Sequence, residues 1–394
     1  MHSPATSLCC QPRVPQTSEI IGKMGFQGVV SRAIDARGLL DCAALTPLHH
    51  PSSEPVVNNN ANDDNCVLMP WVGFGTYRLG KRQSRTATLE ALKSGYRQID
   101  TAFIYGGQTT ELEVGKALQD ALQMGVIQSR EDVFITTKQW REYHGYDASM
   151  KCLELSLERL GVDYVDMWMM HWPGPCFESR DKRQTVSSEN AAAEDDPWLH
   201  AKEGMGVNEI ASLRADTWRA MEDAYRRGKT RSIAVSNFTI KHLETLKETA
   251  TLWPPAVNQI ESHPYYPQND LIDYCQKEGI VVQAYAALGG QDGTKAKWKA
   301  LGGKLFESAP VLEASERLHK TPAQILLRWS LQRNCAIVPK TCDPDRMKEN
   351  SDIFDFELSE EEMKAIANLS EGVGDGEGRL CWRTEKLRML DRIP

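Results

Sequence analysis

Several features that would place this 394-residue chain in a class at once are missing from it. No apolar run approaches the ~20 residues that a bilayer crossing needs, so no membrane span is expected. Lys and Arg are scattered among acids and the net charge is -8, which leaves no basic stripe for a phosphate backbone, and no nucleic-acid partner is expected. The ten cysteines include no Cys-x-x-Cys spacing and suggest reduced thiols in a reducing compartment. His49 and His50 lie beside Pro51 with no partners at ligand spacing, so no metal site is expected. A complete dinucleotide fingerprint is missing too. Gly73-Phe-Gly75 starts one, but Arg78 stands at the third glycine and no acid follows at the required distance.

What remains is ordinary globular composition, 41% hydrophobic and 25% charged, in two unequal parts. Residues 1–65 are rich in Pro, Ser and Asn, end in an Asn/Asp tract from Asn58 to Asn65, and read as a disordered extension. Ile20 to Val30 is too broken by glycine and lysine for a secretory core. Arg13, Arg32 and Arg37 would suit an organelle address, while Glu19, Asp35 and Asp41 count against one, so a cytoplasmic protein is expected.

Residues 66–394 change texture. Apolar strand-like runs are expected at Val72 to Gly75, Arg97 to Asp100, Val133 to Thr137, Val165 to His171, Ser232 to Ser236, Ala256 to Ile260, Val281 to Tyr285 and Ala336 to Pro339. Helical periods begin near Ser84, Glu111, Asp147, Arg214, Thr239, Gln268, Pro310 and Thr321. Strands apolar on both faces that alternate with helices predict a parallel sheet, and eight of them over about 330 residues fit a single closed (β/α)8 TIM barrel. An open doubly wound sheet is the alternative. The polar stretch Pro175 to Asn208 follows a strand directly and is expected to be a long loop insertion on the catalytic face, either disordered or a functional lid.

Polar groups gather at the predicted strand ends. Asp100 and Tyr105 follow one strand, Lys138 ends the next, and His171 ends the one after. Singly these are ordinary turn, rim and surface residues. Together they suit chemistry that builds negative charge on a carbonyl oxygen and protonates it. A phenol titrates near ~10, so a cation is needed to stabilise its phenolate, and Asp100 would keep a buried Lys138 charged. His171 would orient the substrate oxygen toward Tyr105.

The motifs Gly75-Thr-Tyr, Gly95-Tyr-Arg-Gln-Ile-Asp-Thr-Ala, Met169-Met-His171-Trp-Pro, Val235-Ser-Asn-Phe, Asn258-Gln-Ile-Glu-Ser-His-Pro-Tyr, Ala284-Tyr285 and Val338-Pro-Lys340-Thr, with the Lys138 strand end, resemble the aldo/keto reductase family in family order. The resemblance runs from about Val67 to Leu369. It implies a barrel that holds NADPH across the strand mouths and reduces a small-molecule carbonyl, with Asp100, Tyr105, Lys138 and His171 as catalytic tetrad. It further implies that Ser236, Asn237 and Gln259 bind the nicotinamide amide and that Tyr285 stacks on the ring. Thr76 and Leu288 would contact the cofactor, and Lys340, Thr341, Arg346, Glu349 and Asn350 its adenosine phosphate end. Tyr77, Trp140, His171 and Trp172 are the candidate substrate walls, and a monomer is expected.

The chain departs from the family pattern in a longer loop from Gly106 to Glu111, in Tyr77 for a common Trp, and in Ala286-Ala287 for a common Ser-Pro. A second reading is an NADPH-binding regulatory subunit with slow turnover, as the family's channel-associated members imply. The substrate is set by loops after the strands, the segments whose sequence says least.

Overall fold

The computed structural model describes residues 67–175, 206–290, 295–374 and 378–381, with three short strands before them, Ala33–Ile34, Leu40–Asp41 and Leu45–Leu48. The expected extension over 1–65 otherwise lies outside the described residues. Within it, Leu45–Leu48 pairs antiparallel with Val67–Pro70, just ahead of the barrel.

All eight expected strands form, within a few residues of their predicted ends. They are β1 (Phe74–Gly75), β2 (Gln98–Asp100), β3 (Phe134–Gln139), β4 (Met167–Met170), β5 (Ile233–Ser236), β6 (Val257–Glu261), β7 (Val281–Tyr285) and β8 (Cys335–Ile337). They make one parallel sheet in sequential order. The Ile337 amide donates to Trp71 O, Gly73 N donates to Ile337 O, and Gly75 N donates to Pro339 O at 2.8, 2.8 and 3.0 Å, which closes β8 onto β1. The doubly wound alternative is thereby excluded.

That seam explains the two glycines that imitate a dinucleotide fingerprint. A Cβ on Gly75 would meet Val338 O at 2.7 Å, and one on Gly73 would meet the Gln98 side chain at 2.6 Å. They are glycine because strands approach there.

Helices α1 (Lys81–Lys93), α2 (Thr110–Gln123), α3 (Tyr146–Leu160), α4 (Val207–Arg226), α5 (Ile240–Lys247) and α6 (Asn269–Lys277) alternate with the strands. Helices α7 (Lys295–Ala300), α8 (Ala309–Leu318) and α9 (Pro322–Gln332) lead to β8, and α10 (Pro344–Ser351) and α11 (Glu360–Ala367) follow it. In α2 the apolar positions Val114, Ala117, Leu118 and Ala121 recur at helical spacing and are buried.

Helix α4 begins at Val207, not near Arg214, so the end of the expected 175–208 loop is helical. Its buried stripe runs Ile210, Arg214, Thr217, Trp218, Met221, and the charge at Arg214 hid the period. Arg214 is buried with its Nε donating to Pro173 O at 2.5 Å. The remainder of that loop lies outside the described residues. Helices α7, α10 and α11 were not anticipated. Among the described residues no helix is long and apolar enough to cross a membrane.

Replacing Gly75 with Ala should cost about 1–3 kcal/mol, because a backbone carbonyl cannot rotate away as a side chain would. Urea unfolding measures it, and an unchanged midpoint would contradict the closed seam.

Candidate active site

Every residue expected to carry chemistry lies at or beyond the carboxyl ends of the strands. Asp100 ends β2, Lys138 lies near the end of β3, and His171 follows β4. Tyr105 enters from the turn after β2, its N–H donating to Ala102 O at 3.1 Å. The longer loop beyond it passes through positive φ at Gly106, Gly107 and Gln108. Glycine suits the first two because neither loses energy there. Gln108 accepts from Arg159 at 2.9 Å, which ties the loop to α3.

Lys138 is fully buried. Its ammonium donates to Asp100 Oδ1 at 2.7 Å, to Thr101 O at 2.9 Å and to the Tyr105 hydroxyl at 3.4 Å. Asp100 Oδ2 accepts from Gln259 Nε2 at 2.8 Å. Gln259 Nε2 also reaches Gln283 Oε1 at 2.7 Å, and Gln283 in turn faces Gln98 at 3.4 Å. This chain of side chains fills the barrel interior below the site and fixes the carboxylate from beneath. Glu111 stands nearby, buried, accepting from Thr137 at 2.6 Å, and burial lifts its carboxyl above the usual range.

Burial lowers the Lys138 ammonium, and Asp100 opposes that shift. Burial, then Asp100 and Tyr77, push the Tyr105 phenol well above its ordinary value. Desolvation dominates because the charge of the Lys138 cation is matched by Asp100. The phenol holds its proton until charge develops opposite it. His171 is pushed well below the ordinary imidazole range by burial, Lys138 and Arg141, and so stays neutral. Its ring lies 5.8 Å from that of Tyr105, and its Nδ1 has no hydrogen-bond partner among the described residues.

A cavity of about 870 Å³ opens over this cluster. Asp100, Tyr105 and His171 line it, with Tyr77, whose ring is 5.1 Å from that of Tyr105. Ser236, Asn237, Gln259, Tyr285 and Leu288 line it too, as do Lys340, Thr341, Arg346, Glu349 and Asn350. Asn237, at positive φ, donates to His171 O at 2.9 Å and accepts from the Tyr285 hydroxyl at 2.7 Å.

Three expected contacts stand elsewhere. Thr76 is buried and donates to Asp100 O at 2.8 Å, holding the strand end instead of lining the cavity. Trp140 and Trp172 pack on His171, with ring separations of 5.4 and 6.2 Å, outside the cavity lining. Arg78, Phe306 and Cys381 line it without having been anticipated. Phe306 and Cys381 come from segments with no periodic pattern to mark them.

Comparison with known proteins identifies the family. The chain matches the aldo/keto reductase family over residues 72–371 and belongs to that family. It is 37% identical to glyoxal reductase of Bacillus subtilis over 321 residues, 81% of this chain and 96% of that protein. Among solved structures it resembles the aldose reductase of Schistosoma japonicum (TM-score 0.64, 32% identity, 78% of this chain and 90% of that one). It also resembles an aldo-keto reductase of Bombyx mori in complex with NADP (TM-score 0.62, 29% identity, 77% and 89%).

Since the shift at His171 is downward, its imidazole is uncharged above a pKa well under the ordinary 6.5. Ring-proton NMR, assigned by comparison with a His171→Gln variant, should show no titration of this residue between about pH 6 and pH 9. A midpoint inside that window would contradict the buried, cation-flanked placement.

Proposed function

We propose that this chain reduces an aldehyde or ketone to the alcohol with NADPH as hydride donor. The observation that carries the reading is one cavity lined by Tyr105 and His171 and also by Lys340 and Arg346.

The residues present fit that cofactor. Gln259 Nε2 is used within the barrel, but its Oε1 accepts no hydrogen bond among the described residues, and Gln259 lines the cavity, which suits that oxygen to an amide N–H. Tyr285 is held by its hydroxyl, so its ring presents a fixed face. Arg346 is exposed, and its nearest carboxylate, Asp343, is 3.9 Å away. Asp343 itself caps α10, accepting from the Asp345 and Arg346 amides. A phosphate would therefore meet the Lys340 and Arg346 side chains, not that capped helix end. Two cations suit the extra phosphate of NADPH. When bound, NADPH supplies the hydride.

The chain's own groups do the rest. Neutral His171 orients the carbonyl oxygen toward Tyr105. As hydride reaches the carbonyl carbon, the Tyr105 proton passes to the forming alkoxide. The phenolate left behind faces the Lys138 ammonium, whose charge Asp100 keeps in place. The high resting pKa is no obstacle, because the acceptor is a far stronger base than a phenolate.

The glyoxal reductase relative supports a small carbonyl as substrate. A regulatory NADPH-binding role would leave this acid without work, and no observation favours it.

Tyr105→Phe should still quench tryptophan fluorescence with NADPH as the parent protein does, yet lose roughly 10²–10⁴-fold in kcat against a reactive aldehyde. Near-parental turnover would reject the assigned acid.

A further inference from the structure

The acid of the motif Asn258-Gln-Ile-Glu-Ser-His-Pro-Tyr takes no part in the chemistry above, yet Glu261 is buried completely at the end of β6. One of its oxygens, Oε1, accepts from Leu380 N at 2.5 Å and Cys381 N at 2.8 Å and lies 3.1 Å from His263 Nε2. Arg379 Nε stands 3.8 Å from Oε2. The partners come from the far end of the described chain, so one strand-end carboxylate gathers the backbone of residues 380–381, with the Arg379 side chain beside it.

The consequence reaches the cavity. Cys381 lines it, and a Cβ on Gly290 would come within 2.7 Å of the Cys381 sulfur. Residues 380–381 thus close against the loop after β7, beside Tyr285, which pairs with Glu261 in register. Leu380 is buried among Leu305, Trp329 and their neighbours, which anchors the segment from behind. Backbone amides are the donors at Oε1, so the grip depends on the segment's path and tolerates its side chains.

We propose that Glu261 is the positioning residue of a clasp: it holds residues 379–381 as a wall of the cavity and sets how tightly carbonyl substrate is retained, without touching the reacting atoms. The effect on substrate rests on the reductase reading, whereas the clasp does not.

The test uses the full-length protein with Glu261→Ala and Glu261→Gln. Losing two hydrogen bonds to a charged acceptor should speed amide exchange at residues 380–381 by roughly tenfold or more in the Ala variant. KM for a small aldehyde should rise by a comparable factor, with kcat within roughly twofold. Glu261→Gln, which keeps an acceptor without the charge, should fall between in both readouts. Unchanged exchange overturns the clasp, and a fall in kcat at constant KM overturns the positioning role. If the parent protein reduces no aldehyde, the reductase reading fails and exchange alone decides the clasp. Should Glu261→Ala not fold, Gly290→Ala wedges the same seam from the opposite side. It should raise exchange at residues 380–381, and unchanged protection there again overturns the proposal.

Discussion

The ion pair between Lys138 and Asp100 is the constraint on which the site depends. Two charges buried this deeply are costly to desolvate, and they are tolerable only with good geometry and satisfied lone pairs. Both conditions hold. The ammonium has Asp100 and the Thr101 carbonyl, and the carboxylate has Lys138 and Gln259. The Tyr105 hydroxyl, at 3.4 Å, is the looser third neighbour. A phenolate formed there would meet a cation already in place. Preorganisation of that kind lowers a barrier because no dipole must turn during the reaction.

The barrel supplies the positions. Closure through glycine at the seam brings the strand ends into a ring, so that residues far apart in the chain share one mouth. The glutamines Gln98, Gln259 and Gln283 link strands across the interior and leave little freedom beneath Asp100. Above, Asn237 ties the His171 backbone to the Tyr285 hydroxyl, so the group proposed to orient the carbonyl and the ring proposed to face the cofactor are linked through one side chain.

Much of this was legible beforehand. Strands β1 to β8 are short apolar runs followed by polar residues, and Asp100, Lys138 and His171 sit where such runs end. Other parts were masked by chemistry that competes with pattern. The buried Arg214 broke the apolar period of α4. Helices α10 and α11 carried start signals, Asp343 before Pro344 and Ser359 with Glu362, but their stripes are short and polar. Arg78, Phe306 and Cys381 reach the cavity by tertiary folding alone. The upward shift of Tyr105 comes from desolvation, which residue types alone do not reveal.

The central claim is that Asp100 matters through Lys138. It is tested most directly by unfolding Asp100→Ala, Lys138→Met and the double variant. Removing the carboxylate alone strands a buried cation and should cost about 3–5 kcal/mol, most of which the double variant should recover. Strictly additive losses would contradict the account.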